Sequence, residues 1–92
     1  MKIKISSTAL HDIQQGIDYY QLQHKGLGVR FEKSVHASLK QIKAHPLAAS
    51  FLVENIRYKV MKKFPYIIVH EVMDDAVYVL RVFNTSLSPD KM

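Results

Sequence analysis

The sequence predicts an α+β fold: a hairpin of two α-helices packed on one face of an antiparallel sheet, in the order β-α-α-β-β-β. Three observations carry this. Apolar residues recur at helical spacing in two stretches, and "HKGLG" interrupts them. Pro46 disfavours helical geometry at His45 and so closes the second stretch. From Ile56 onward the apolar period changes from 3.6 to 2, as a strand requires.

Each element follows in turn. "KIKIS" alternates polar and apolar residues, which reads as a short strand over 2–6. Ser6, Ser7 and Thr8 can cap a helix, because a hydroxyl there accepts from an unpaired amide. Ala9, Ile13, Ile17 and Tyr20 then mark a first helix over roughly 8–23, within which Gly16 allows close approach of another element. The glycines of "HKGLG" suit a helix end and a tight reversal. Phe31, Val35, Leu39 and Ile42 mark a second helix over roughly 28–44. Ile56 to Met61, "YIIVHEV" and "AVYVLRVF" read as three strands rich in β-branched and aromatic residues. "KKFP" and "DD" stand at the reversals between them, and "NTSLSPDKM", residues 84–92, reads as a polar, flexible tail. The first strand is expected at one edge of the sheet.

The chain has 92 residues, which fits one domain over 1–92. It has no cysteine, which excludes disulfides, thiol catalysis and Cys-based zinc sites. No apolar run approaches the ~20 residues of a membrane span, and "MKIKISST" is too short and polar for a signal peptide, so a cytoplasmic protein is expected. The formal net charge of +5 suits contact with nucleic acid or with an acidic protein. His11, His24, His36 and His45 are scattered, no His pair stands at i, i+4, and no HExxH occurs, so neither a metal nor another cofactor is expected.

Two-residue turns centred on Lys62-Lys63 and Asp74-Asp75 set a register by outward counting: Lys59 opposite Tyr66, Arg57 opposite Ile68, Ile68 opposite Arg81, His70 opposite Val79. One face then carries Ile56, Tyr58, Val60, Ile67, Val69, Tyr78, Leu80 and Val82, and is expected under the helices. The other carries Arg57, Lys59, Tyr66, Ile68, His70, Val79, Arg81 and Phe83. On an open face, Arg57, Lys59 and Arg81, with Lys62 and Lys63 at the rim, can bind phosphate or a macromolecular target, since arginine offers a planar fork and lysine a flexible point charge. His70 can exchange a proton near neutral pH, and Tyr66 and Phe83 can stack on bases. The alternative is a solvated face whose aliphatic stems cover apolar neighbours.

The chain resembles the RelE/ParE superfamily of bacterial toxins from type II toxin–antitoxin modules. The resemblance runs from about Ala9 to Pro89 and rests on "DIQQGIDYY", "GLGVRFEKSV", "IRYKVMKKFPYIIVHEV" and "VYVLRVFNTS". It implies a helical hairpin on an antiparallel sheet and a growth-inhibiting toxin held inactive by a cognate antitoxin, in higher-order toxin–antitoxin complexes. Some members cut messenger RNA on the ribosome, while the ParE type inhibits DNA gyrase. Relatives that cut RNA often carry His, then Arg, then Pro after the last strand; here Asn84, Leu87 and Pro89 correspond. Asparagine cannot exchange the proton, and leucine cannot hold phosphate. The expectation is therefore a ParE-like inhibitor of gyrase. The alternative is a metal-independent, RelE-like messenger RNA endonuclease using Arg57, Arg81 and His70 as catalytic residues, with Lys59 beside them. A third reading is a degenerate toxin that only binds its antitoxin and represses the shared operon.

Overall fold

The computed structural model describes residues 1–86. The order is β1 (Lys2–Ile5), α1 (Ser7–Gln23), α2 (Leu27–Ala44), β2 (Ser50–Val53), β3 (Ile56–Val60), β4 (Tyr66–Met73) and β5 (Ala76–Asn84). They form one five-stranded sheet in the order β1-β5-β4-β3-β2. Strands β2 to β5 are antiparallel, and β1 joins the edge of β5 in parallel, so the sheet is mixed. The predicted edge position of the first strand holds.

The helix ends follow the local chemistry. Ser6 is the N-cap of α1, its hydroxyl accepting from the Ala9 amide at 3.0 Å. The same hydroxyl donates to the Leu80 carbonyl at 3.0 Å, which ties the helix start to β5. Gly26 links the helices at φ 86°, a left-handed conformation that glycine adopts without penalty. His45 ends α2 just before Pro46.

Gly16 lets the two helices meet. A Cβ placed there would lie 2.5 Å from Cε2 and Cζ of Phe31, so the ring occupies the space any other residue would need. Phe31 is fully buried and sits at the centre of an aromatic cluster. Its ring centroid lies 5.3 Å from Tyr20, 5.2 Å from Phe64 and 4.8 Å from Tyr66. The edge-to-face pairs with Phe64 and Tyr66 contribute about 0.5–1.5 kcal/mol each beyond their area.

The helices cover the face opposite to the one expected. The core joins Ala9, Phe31, Val35, Leu39 and Ile42 of the helices to Tyr66, Ile68, Val77, Val79 and Val82 of the sheet. Ile56, Tyr58, Val60, Ile67, Val69 and Tyr78, assigned by the sequence to the core, instead lie on the helix-free side, where Val60 is 61% exposed. The expected pairing parity holds between β3 and β4 and from the Asp74-Asp75 turn as far as His70 opposite Val79, but Ile68 faces Val82 and not Arg81. Two details differ. The β3–β4 reversal spans Met61 to Pro65, so Lys59 faces Ile68 and Arg57 faces His70. A bulge at Leu80 inserts one residue in β5, so Val69 pairs with Arg81 and Val82 turns into the core.

Strand β2, Ser50–Val53, was not expected, and all four of its residues are exposed. Asn84, assigned to the tail, is the last residue of β5. Thr85 is tied back through its amide and hydroxyl, which both donate to the Pro65 carbonyl. Leu87 and Pro89 lie outside the described residues.

Gly16→Ala is expected to lower stability by about 1–3 kcal/mol through overpacking, read as a lower urea midpoint. Adding Phe31→Leu makes room for the methyl group, so the double variant loses less than the sum of the two single losses.

Candidate functional site

The sequence-predicted cluster divides into three separate places. Arg81 lies beside α1, which passes along the stretch of β5 beyond the end of β1. There Asp12 accepts from Arg81 Nε at 2.8 Å, from Arg81 Nη2 at 3.2 Å and from the Val82 amide at 2.9 Å. The Asp12 side chain is 9% exposed and the Arg81 side chain 41%. A charge-assisted hydrogen bond of this kind contributes about 1.5–3 kcal/mol. Its hydrogen bond to Asp12 pushes the Arg81 guanidinium further toward the charged form. Arg81 also lies over the Phe83 ring, 4.4 Å from its centroid. It is a clamp between helix and sheet.

Arg57 is engaged at the far edge. Its Nη1 donates to the carbonyls of Leu47 at 3.0 Å and Ala49 at 2.6 Å, and its guanidinium covers the Phe51 ring at 4.0 Å. These contacts hold the segment between α2 and β2 against β3. Lys59 projects to the helix side and lines a cleft of about 430 Å³ with Ile42, His45 and Lys62.

His70 is 0% exposed. Its Nδ1 lies 3.3 Å from the Ile68 carbonyl, and its Nε2 has no partner among the described residues. The contact fixes the tautomer, with Nδ1 donating and Nε2 left as a buried lone pair. Burial lowers its pKa below 6.5, and the nearby Arg57 charge lowers it further, against the opposing Ile68 hydrogen bond. The register counted outward from the turns placed His70 on the face expected to be open, because the alternate set of residues was more apolar and was assigned to the helices. It is a neutral core residue.

Lys62 and Lys63 do mark a concave surface. The β3–β4 reversal lies against α2, where Ser34 Oγ donates to the Lys62 carbonyl at 2.8 Å. Between them runs a groove of about 1000 Å³ with an apolar floor that includes Tyr20, Leu27 and Phe64. Its walls carry Arg30 and Lys33 from α2 and Lys62 and Lys63 from the reversal, all four exposed. Arg30 and Lys33 were missed as site residues; their signal was the i, i+3 spacing, which places them on one helix face. Lys63 is held at φ 74°, which a non-glycine residue adopts at a cost of about 1–2 kcal/mol.

A second cleft of about 460 Å³ opens beside the Asp12–Arg81 pair and is lined by Tyr19, Tyr66 and Asn84. Burial, reinforced by the neighbouring Tyr20, raises the Tyr66 hydroxyl above its usual pKa of 10.0. Asn84 Oδ1 accepts from the amide and hydroxyl of Ser86 at 2.9 and 2.6 Å. No histidine lines this cleft among the described residues.

The family described as "ParE toxin of type II toxin-antitoxin system, parDE" matches residues 3–87. The chain belongs to the ParE toxin family. It is a toxin of a type II toxin–antitoxin system in the ParE-like branch, which implies a cognate antitoxin as partner. No curated protein matches its sequence. Among solved structures, the chromosomal ParDE toxin–antitoxin system from P. aeruginosa is similar at a TM-score of 0.69 and 19% identity. The match covers 91% of this chain and 95% of that one, and shows that the two share a fold. Among the described residues, no helix of this ParE chain is long and apolar enough to cross a membrane.

The buried His70 gives this ParE chain an acid-sensitive stability. Its pKa is lower folded than unfolded, so below pH 6.5 the unfolded chain takes up the proton first. Its stabilising contribution is complete above pH 6.5 and is lost as pH falls toward the folded value, with a slope of at most about 1.4 kcal/mol per pH unit. His70→Leu is expected to flatten this limb of a urea-unfolding pH profile between about pH 6.5 and 5.

Proposed function

We propose that this toxin arrests growth by docking on DNA gyrase as a protein inhibitor, without cutting RNA. One observation carries the reading: the three residues that an RNA-cleaving sheet face needs are each engaged elsewhere. Metal-free cleavage through the 2′-hydroxyl requires a base, an acid for the leaving oxygen and a clamp for the phosphate. His70 is sealed in the core with a lowered pKa and cannot meet a scissile phosphate. Arg81 already grips Asp12, and Arg57 grips two backbone carbonyls. Asn84, where relatives that cut RNA carry histidine, has no proton to exchange in this role. An inhibitor that acts by binding needs none of these groups. It needs a rigid, shaped and charged surface, and the groove between α2 and the β3–β4 reversal supplies one through Arg30, Lys33, Lys62 and Lys63.

Purified toxin is expected to block gyrase supercoiling at concentrations comparable to the enzyme, and to leave ribosome-bound messenger RNA intact. Cleavage at the ribosomal A site with no effect on supercoiling overturns the proposal.

A further inference from the structure

The two edges of the sheet are built differently. Strand β1 carries Lys2 and Lys4, both exposed, and charge on an edge strand discourages pairing with another chain. Strand β2 at the opposite edge has the sequence "SFLV", with no charge and no proline. Its consecutive Phe51, Leu52 and Val53 are 58%, 50% and 57% exposed. The helices pack chiefly on β1, β3 and β5, so β2 projects past their layer. Among the described residues, no strand lies beyond it. An unblunted apolar edge of this kind is a template for a further strand.

We infer that β2 pairs antiparallel with β2 of a second copy of this chain, about a two-fold axis at Phe51, joining two sheets into one of ten strands. Two observations favour a second copy over a foreign strand. The first is register. A two-fold axis normal to the sheet keeps both helix layers on one side, so opposite residues must point to the same face. Centring on Phe51 meets this condition, since every residue then faces one of like parity. It places the two Phe51 rings together on the helix side, where Phe51 already lies opposite Arg57.

The second is charge. In this register Val53 faces Ala49 of the second copy, and Glu54 faces its Ala48. Arg57 holds the carbonyls on either side of that position, Leu47 at 3.0 Å and Ala49 at 2.6 Å. Both bonds use Nη1, which leaves Nη2 for a carboxylate. The two-fold axis therefore brings each Glu54 beside the other copy's Arg57, and the contact is made twice. These pairs offset part of the repulsion between two chains of net charge +5.

The inference does not rest on gyrase being the target, so the supercoiling assay leaves it untouched. Sedimentation velocity of the purified full chain between about 5 and 500 µM is expected to show the mass rising from one chain toward two. Phe51→Lys sets like charges opposite each other at the axis and is expected to weaken association at least about tenfold. Phe51→Tyr is expected to retain it. Glu54→Lys, which leaves β2 intact, is expected to weaken it several-fold.

The chain has no cysteine, so single cysteines report the register. Opposite residues of an antiparallel pair have Cα atoms about 4.5–5.5 Å apart, inside the range of about 4.4–6.8 Å that a disulfide spans. The two Leu52 residues would be offset and about 8 Å apart, which is too far. Under copper phenanthroline, Phe51→Cys is expected to form the disulfide dimer rapidly. Leu52→Cys, and Leu10→Cys on the exposed side of α1, are expected to react only at the slow collisional rate. The inference is overturned if the chain stays single up to about 500 µM, or if Phe51→Lys dimerises as the unaltered chain does. It is equally overturned if Phe51→Cys cross-links no faster than Leu52→Cys or Leu10→Cys.

Discussion

The packing of Phe31 against Gly16 is the contact on which the rest of the structure depends. With no side chain at Gly16, the Phe31 ring lies directly on α1 and brings the helices together. The same ring reaches Tyr66 at the start of β4 and Phe64 in the reversal. One cluster thus joins the helical hairpin, the sheet and the basic tip. Phe64 acts as its anchor: drawn into the cluster, it holds Lys62 and Lys63 beside Arg30 and Lys33. Like charges brought this close repel, so the apolar contact must supply the energy that keeps them together.

The elements whose signals are local were legible in the sequence. The Ser6 cap, the glycine link, the stop before Pro46 and the Asp74-Asp75 turn each rest on a few adjacent residues. The choice of sheet face is not local. Both faces of β4 and β5 carry large apolar residues, so alternation could not say which one the helices cover. The cations were read as marking an open face. In fact Arg57 and Lys59 sit on β3, toward the margin of the helix layer, where a guanidinium can bond loop carbonyls without being deeply buried. Arg81 escapes the core through the bulge at Leu80, a one-residue insertion with no signature in the pattern. His70 was misplaced for the complementary reason, since a neutral imidazole with one hydrogen bond can be buried. Strand β2 escaped notice because "SFLV" is short and does not alternate.

The candidate site was half legible. Lys62 and Lys63 stood out as a charged tip, and "FPY" as the signature beside them. The opposite wall, Arg30 and Lys33, comes from about 30 residues earlier in the chain and depends on how the hairpin docks. What the sequence grouped as one catalytic or phosphate-binding face resolves into a helix–sheet clamp at Arg81, a loop clamp at Arg57 and a buried ring at His70. Lys62 and Lys63 stand beside Phe64, which the aromatic cluster holds in place.

The groove is built by packing and is more than an accumulation of charge. The most direct measurement is titration of DNA gyrase onto Phe64→Ala, a variant that keeps Arg30, Lys33, Lys62 and Lys63. Amide exchange serves as the check that β4 and β5 remain folded. Binding is expected to be lost, and the amides of Met61 and Tyr66, hydrogen-bonded within the reversal, are expected to exchange faster. Binding at the strength of the unaltered chain contradicts this, and shows that charge alone suffices.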